Sequence, residues 1–236
     1  MKDIISGGLE ELGLSPAVPP EAAGQLDLYG RLLLEKNQVM NLTAIREPEQ
    51  VARLHMLDCA ALLNCAQFEG KTLIDVGTGA GFPGIVAKIY KPDLQLTLME
   101  PTGKRVEFLR YVCGELGLSG VEFAKERAEE AARKVWREQF DVATARGVAA
   151  LPMLSEYCLP LVKVGGVFLA MKGPGAAEEL AESGAALKKL GGKGSGVAEF
   201  HLPGGDVRNI IRIKKISQTP PVYPRNGGKI AKSPLK

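Results

Sequence analysis

A glycine-rich turn between an apolar strand and a helix is the feature of this sequence that most restricts its fold. Over this stretch the chain reads Leu73-Ile74-Asp75-Val76-Gly77-Thr78-Gly79-Ala80-Gly81-Phe82-Pro83-Gly84. Glycines let a backbone approach a ligand closely, and Pro83 suits the first turn of a helix, whose N-terminus offers unpaired N–H groups. The pattern therefore predicts a ligand-binding turn between a strand and a helix.

The segments around this turn alternate between short apolar runs and helix-period patterns. The predicted strands cover residues 72–76, 94–99, 121–124, 140–145 and 164–171, and the predicted helices cover 83–90, 104–116, 127–139 and 151–161. This βαβαβαβαβ order predicts an α/β fold with a parallel, doubly wound sheet. After a helix near 176–190, a glycine turn at 191–194 leads to strands at 197–202 and 210–216, which predict a terminal antiparallel hairpin.

The two ends of the chain differ from this core. Before residue 70 only helix-period patterns occur: one helix opens near Pro20, and another covers residues 48–66. The apolar face of the first helix is predicted to contain Leu26, Tyr29, Leu33 and Val39 or Met40. The proline- and glycine-rich tail from residue 217 predicts a surface extension that continues neither helix nor strand. We expect a helical cap at 1–69, an α/β domain at 70–216 and a basic tail at 217–236.

Composition excludes several classes of protein. With 45% hydrophobic residues and 236 residues, the chain can bury a core, which excludes disorder as its dominant state. The four cysteines show no CxxC spacing and lie in apolar, helix-like sequence, so we expect them to be reduced and buried. No window approaches the 18 or so apolar residues of a membrane span, and two histidines without ligand spacing predict no metal site. We expect a cytoplasmic protein.

Two ligands compete for the glycine-rich turn. As Gly79-x-Gly81-x-x-Gly84 it fits the fingerprint of dinucleotide-binding oxidoreductases, which is weak evidence alone. As Asp75-x-Gly77-x-Gly79-x-Gly81 it fits the first motif of S-adenosylmethionine (SAM)-dependent methyltransferases. Asp75 would lie unfavourably beside a pyrophosphate, and Glu100, which ends the next strand, can accept ribose hydroxyls. The methyltransferase interpretation is favoured, with a NAD(P)-dependent oxidoreductase as the alternative.

Motifs along nearly the whole chain resemble one family, RsmG (GidB), the bacterial 16S rRNA guanine-N7 methyltransferases. Beside the glycine-rich turn these motifs are Asn37, Asn41-Leu42-Thr43, Arg53 with His55 and Asp58, Gly103-Lys104-Arg105-Val106, Phe108-Leu109, Arg127-Ala128-Glu129, Ala145-Arg146, Lys172-Gly173, Arg208, Tyr223-Pro224-Arg225 and Ser233-Pro234-Leu235. Lys36 departs from the family, which often has an aromatic residue beside the early asparagine.

The resemblance implies a class I, Rossmann-like methyltransferase with a mostly parallel seven-stranded sheet. It implies SAM as methyl donor and a guanine in the 530 loop of 16S rRNA, position 527 in rRNA numbering, as acceptor. The cofactor-binding residues implied by the motif and the family are Asp75, Gly77, Gly79, Phe82, Glu100, Ala128, Glu129 and Arg146. The residues expected to serve catalysis are Arg146, Lys172, His55, Asn41 and Arg208. The expected partner is 16S rRNA or the 30S subunit, bound by a monomer.

The expected chemistry needs few catalytic groups. Guanine N7 carries a lone pair and no proton, so methyl transfer requires placement of N7 in line with the methyl group rather than a general base. We therefore expect no triad and no metal. Arg146, which follows a strand at the ligand-binding edge of the sheet, is expected to meet an anion, either the SAM carboxylate or an RNA phosphate. Lys104 and Arg105, cations at a helix N-terminus, also predict an external anion or a carboxylate partner.

The net charge of +3 conceals an uneven distribution. Residues 208–236 contain eight Lys and Arg and no acid, so the rest of the chain carries −5. This pattern predicts that the last strand and the tail bind RNA phosphates. A ribosome-assembly protein that binds RNA without turnover remains the alternative outside the enzymes.

Overall fold

The computed structural model describes residues 1–14 and 19–236, whose strands form a single seven-stranded sheet. The strands are β1 (Thr72–Val76), β2 (Gln95–Met99), β3 (Val121–Ala124), β4 (Phe140–Arg146), β5 (Val162–Lys172), β6 (Gly192–His201) and β7 (Val207–Lys215). Their order is β3-β2-β1-β4-β5-β7-β6. Strands β1 to β5 are parallel, while β7 runs antiparallel to β5 and β6. The predicted doubly wound sheet with a terminal antiparallel hairpin is confirmed.

Eleven α-helices in the described residues surround this sheet. They are α1 (Lys2–Glu11), α2 (Ala22–Met40), α3 (Pro48–Val51), α4 (Asp58–Ala60), α5 (Gly84–Tyr90), α6 (Gly103–Glu115), α7 (Ala128–Ala131), α8 (Leu151–Cys158), α9 (Ala176–Glu182), α10 (Gly184–Lys189) and α11 (Gly227–Lys232). A π-helix (Ala52–Leu57) joins α3 to α4, and short 3-10 turns follow α4 and α8. Over the described part of the chain, no helix has the length and apolar character that crossing a bilayer requires.

Alternating strand residues build a separate hydrophobic core on each face of the sheet. On one face, Leu169 and Ile210 belong to a cluster formed with the N-terminal helices, α5 and α6. On the other face, Phe168 and Ile211 belong to a cluster formed with α7, α8, α10 and the C-terminal tail. This alternation follows from the two-residue period of a strand. All four cysteines are buried and free, as predicted.

The N-terminal helices differ in detail from the prediction. Leu26, Tyr29 and Leu33 are fully buried, and of the two alternatives at the end of this face Met40 packs against the core, whereas Val39 is 79% exposed. Helix α1 was not predicted. The predicted helix at 48–66 ends at Asn64 and is interrupted by the π-helix, which contains His55. Such π segments often occur at functional sites.

Three predictions for the C-terminal half are wrong. The expected helix at 127–139 is helical only in α7, because Arg137 and the left-handed Glu138 turn toward the tail. The expected turn at 191–194 mostly lies within β6, which accommodates its glycines with a bulge. The tail is not a simple surface extension: it contains α11, and Ile230 and Leu235 are buried, with Leu235 in the second core.

Candidate functional site

The glycine-rich turn is held from below by the carboxylate of Asp75. Oδ2 of Asp75 accepts hydrogen bonds from the Thr78 hydroxyl at 2.6 Å and from the Gly84 N–H at 2.8 Å, while Oδ1 has no hydrogen-bond partner in the part of the chain that the structure describes. The side chain is fully buried, and this burial raises the pKa of Asp75 to about 6. Gly77 and Gly79 have φ of 69° and 60°, a backbone region that favours glycine. Asp75 therefore shapes the turn and does not line its open side.

Glu100, at the end of β2, braces the same turn from the side. Its Oε2 accepts from the Gly79 N–H at 3.2 Å, and its Oε1 accepts from the Thr102 N–H at 2.9 Å. The sequence predicted either an external anion or a carboxylate as the partner of Arg105. The structure shows a carboxylate, because Nη1 of Arg105 lies 3.7 Å from Oε2 of Glu100. The carboxylate is nearly buried, and one of its roles is to fix the turn.

A first cavity, of about 230 Å³, opens where β1, β2 and β4 end. Its walls combine apolar side chains with backbone of the glycine-rich turn and carboxylates; they comprise Val76, Gly77, Met99, Pro101, Glu126, Arg127, Ala128, Glu129, Val148, Ala149, Met153 and Tyr157. Ligands bind at this edge in open α/β sheets. Of the residues predicted for cofactor binding, the structure places Gly77, Ala128 and Glu129 in these walls.

A second cavity, of about 500 Å³, lies beside the first where β4, β5 and β7 meet. It is lined by Asp58, Arg146, Gly147, Val148, Ala149, Leu154, Met171, Lys172, Gly173 and Arg208. Val148 and Ala149 belong to both cavities. The two cavities therefore adjoin at these two residues, and we call the pair the cleft; its second cavity contains three cationic side chains.

Arg146 is the centre of a polar network between β4 and the N-terminal helices. Its Nη1 donates to Asp58 Oδ2 at 2.8 Å and to the Leu54 carbonyl at 3.1 Å, and its Nη2 donates to His55 Nδ1 at 2.9 Å. The guanidinium also lies 5.1 Å from the ring centroid of Phe82. Within the chain, the anionic partner of Arg146 is thus Asp58, a partner that the sequence did not predict.

The network fixes the protonation state of His55. Because an arginine can only donate, Nδ1 of His55 carries the lone pair, and Nε2–H donates to the Thr43 hydroxyl at 2.8 Å. Burial and the neighbouring Arg146 lower the pKa of His55 to about 3. Asn37 completes the network through two hydrogen bonds of 2.9 Å to the backbone of Thr43. His55 is therefore a neutral bridge between the cap and Arg146.

The remaining predicted residues differ in where they lie. Lys172 lines the second cavity and donates to Glu179 at 3.0 Å and to the Ala149 carbonyl at 2.8 Å. Arg208 lines the same cavity, with Nε 3.6 Å from Asp58 Oδ1. Asn41 is exposed at the end of α2 and is not among the cavity residues. Phe82 is 5% exposed, stacked with His55 and Tyr29, so it offers no open ring face to a base.

Asp58, Thr43 and Asn37 belong to the network around Arg146 but were not among the predicted site residues. All three occur in the motifs that carry the family resemblance, so the signal was present without a role attached to it. Within residues 1–14 and 19–236, no group of three or more His, Cys, Asp or Glu side chains is placed to hold a metal ion.

Comparison of the sequence with known proteins finds a family model and relatives that match most of the chain. The family model GidB, described as rRNA small subunit methyltransferase G, matches residues 22–211. The ribosomal RNA small subunit methyltransferase G of Alkaliphilus metalliredigens is 48% identical over 241 residues, covering 100% of this chain and 99% of that protein. The protein of the same name from Moorella thermoacetica is 46% identical, covering 92% of each chain.

Solved structures give the same fold at lower identity. A SAM-dependent methyltransferase from Aquifex aeolicus aligns with a TM-score of 0.55 and 20% identity, covering 75% of this chain and 97% of that one. TrmN from Thermus thermophilus aligns with a TM-score of 0.53 and 19% identity over 68% of this chain, which spans about half of TrmN (48%).

Proposed function

Because the chain belongs to the GidB family of small-subunit rRNA methyltransferases, we propose that it transfers the methyl group of SAM to guanine N7 in the 530 loop of 16S rRNA, at position 527. The observation that carries this proposal is the shared wall of the two cavities at Val148 and Ala149. One cavity is bounded by the glycine-rich turn and the other by cations. Such a cleft suits a methyl donor and a nucleic-acid acceptor that meet at a common boundary.

The residues of the first cavity fit SAM. The turn offers glycine backbone at Gly77 and Gly79, and the position of a Cβ at Gly79 faces open space, so a ligand can approach the chain there. Met99, Ala128 and Tyr157 supply apolar walls for a flat base. Glu129, with 9% exposure and no ion-pair partner in the described residues, supplies a carboxylate that can accept hydroxyl hydrogen bonds. SAM supplies the electrophilic methyl group.

The protein contributes placement and charge to the transfer. Guanine N7 needs no base, because it has a free lone pair and no proton to lose. Lys172 and Arg208 line the acceptor cavity and can donate to guanine O6 or to a phosphate. Arg146 is held by Asp58, His55 and Phe82, so it fixes the end of β4 between the two cavities. The reaction is thus accelerated mainly by orientation of the two substrates.

We extend the proposal to the three regions of the chain. The cap at 1–69 positions Arg146 through Thr43 and His55 and contributes Asp58 to the second cavity, whereas residues 70–216 supply the other walls of that cavity and the walls of the first one. The tail at 217–236 supports the first cavity from behind, because Arg225 binds Glu156, the neighbour of the cavity residue Tyr157. In this view the terminal regions hold the cleft and residues 70–216 perform the transfer.

The test is methyl transfer to 30S subunits that lack the mark, with the methylated nucleotide mapped by mass spectrometry. We expect N7 methylation of one guanine by the wild type and loss of transfer in a folded Arg146→Ala variant. Absence of transfer by the wild type, with RNA binding retained, would favour an assembly protein without turnover. Calorimetry that showed NADH binding and no SAM binding would instead favour an oxidoreductase.

A further inference from the structure

One face of β7 carries three cations, the first of which lines the acceptor cavity; the buried Ile210 lies between Arg208 and Arg212 on the same face. Arg208, Arg212 and Lys214 share this face because side chains of a strand alternate with a period of two. Six residues of strand separate the first from the last, which corresponds to roughly 20 Å. Lys193 of β6 lies directly opposite Lys214 and so joins the same face. We call Arg208, Arg212, Lys214 and Lys193 the basic strip.

The outer part of the strip is not neutralised by the protein. Arg212, Lys214 and Lys193 are exposed, and no carboxylate of the described residues lies within 4.0 Å of them. Like charges directly opposite each other on paired strands are unfavourable, so the juxtaposition of Lys193 and Lys214 costs stability unless an anion lies between them. This cost points to a ligand with negative charge.

A groove beside the strip adds two further cations. Arg212 and Lys214 line it together with Lys71 and Lys163, where the parallel strands begin. The acidic residue in this groove is Asp141, whose Oδ2 accepts from Thr72 and whose Oδ1 lies 3.5 Å from Lys163. The lining therefore has a net positive charge that continues the strip away from the acceptor cavity.

Other cations of residues 208–236 have different surroundings. Lys215 is 1% exposed, and its ammonium lies 3.0 Å from Glu138. Arg225 is bound to Glu156. Lys229 and Lys232 lie on α11, which packs on α8 at the opposite face of the sheet. The +8 of this region is thus divided, and of these cations only Arg208, Arg212 and Lys214 belong to the basic strip.

We propose that the basic strip binds backbone phosphates of the RNA substrate on one side of the target guanine, and that the tail does not. This proposal rests on the proposed function, because it takes the cavity at Arg208 as the place of the acceptor base. A strip of this length with four cations can contact several consecutive phosphates of a nucleic-acid strand. The strip fixes the direction in which the RNA leaves the cavity.

The test compares two double variants that each remove two exposed cations: Arg212→Gln with Lys214→Gln on the strip, and Lys229→Gln with Lys232→Gln on α11. The KM for unmethylated 30S subunits is measured between 50 and 200 mM salt. The slope of log KM against log salt concentration should decrease by about 1 for each phosphate that a variant no longer binds. The strip variant should therefore have a slope smaller than that of the wild type by about 2. At low salt its KM should rise about tenfold, with kcat and the Kd for SAM unchanged.

The control outcomes decide the proposal. A variant with Arg212→Lys and Lys214→Arg keeps the charge and should retain the wild-type salt slope. The proposal is overturned if the strip variant keeps the wild-type KM and slope, or if these change in the α11 variant alone. If the wild type transfers no methyl group, anisotropy of an end-labelled 16S rRNA transcript with the same variants decides the strip separately from the catalytic function.

Discussion

Two buried arginine–carboxylate pairs attach the N-terminal cap to β4 and the C-terminal tail to α8, and they differ in how completely they are hydrogen-bonded. In the tail pair, both oxygens of Glu156 accept from the Arg225 guanidinium at 2.6 to 3.2 Å, and Oε1 also accepts from the Arg225 backbone N–H. In the site pair, Arg146 donates to Oδ2 of Asp58, while Oδ1 accepts no hydrogen bond from the described residues and has Arg208 Nε at 3.6 Å.

This difference distinguishes the Arg225–Glu156 pair, which holds the tail in place, from the Arg146–Asp58 pair, which belongs to the candidate site. Glu156 is fully buried and fully satisfied, as expected of a group whose task is to hold the tail. Asp58 lines the acceptor cavity, one of its oxygens accepts no hydrogen bond from the described residues, and burial raises its pKa despite the adjacent Arg146. A half-satisfied buried carboxylate costs stability, which a protein tolerates where the group serves a ligand site.

The largest expected effect is on the tail pair. Arg225→Ala leaves the buried Glu156 without its cation, so we expect the free energy of unfolding to fall by about 3 kcal/mol. Urea denaturation measures it. As a control, Arg31→Ala removes an arginine paired with Asp27 at the surface and should cost less than about 1 kcal/mol. Equal costs for the two variants would show that the tail pair does not anchor the fold.

The next effect concerns the site pair. Arg146→Lys keeps a positive charge near Asp58 but cannot also donate in fixed geometry to His55 and Leu54. We expect single-turnover methyl transfer to fall about 10²-fold, equivalent to about 2.7 kcal/mol, because the boundary between the cavities shifts. The decrease in unfolding free energy should be smaller than for Arg225→Ala. If the transfer rate stayed at the wild-type value, Arg146 would have no positioning role.

A pH titration of stability tests the site network alone. His55 has a pKa of about 3 when folded against an ordinary 6.5, so the unfolded chain binds its proton first and stability falls as the pH drops below 6.5. At pH 5.5 this effect amounts to about 1.4 kcal/mol. Asp75 acts in the opposite direction, since its raised pKa of about 6 makes the folded chain bind a proton first.

Comparison with His55→Gln isolates the histidine contribution. The stability of the variant should decrease by about 1.4 kcal/mol less than that of the wild type between pH 7.5 and 5.5 in urea denaturation, while the Asp75 contribution remains in both proteins. Parallel pH profiles of the wild type and the variant would mean that His55 titrates normally and is not held neutral by Arg146.

Local sequence patterns were sufficient to predict those structural features that depend on residues close together in the sequence. The alternation of short apolar runs with helix-period segments was sufficient to predict the sheet, and the spaced glycines were sufficient to predict the turn at Gly77 and Gly79. The partner of Arg146 was not predictable from spacing, because Asp58 lies 88 residues away and meets it only through packing of the cap. The ion pair between Lys215 and Glu138 was likewise not predictable from spacing, and Lys215 was therefore included among the cations expected to bind RNA.

The smallest effect tests whether the tail is coupled to the cofactor cavity. Both Gly227 and Gly228 begin α11, where alanine is the better helix former by about 1 kcal/mol. A Cβ at Gly227 would overlap Oε1 of Glu129, a wall of the first cavity, whereas a Cβ at Gly228 has only Asn226 Oδ1 at 3.7 Å. We expect Gly227→Ala to raise the Kd for SAM two- to fivefold in calorimetry, which is about 0.4–0.9 kcal/mol, and Gly228→Ala to leave it unchanged. Identical SAM affinities in both variants would confine the tail to its structural role at Glu156.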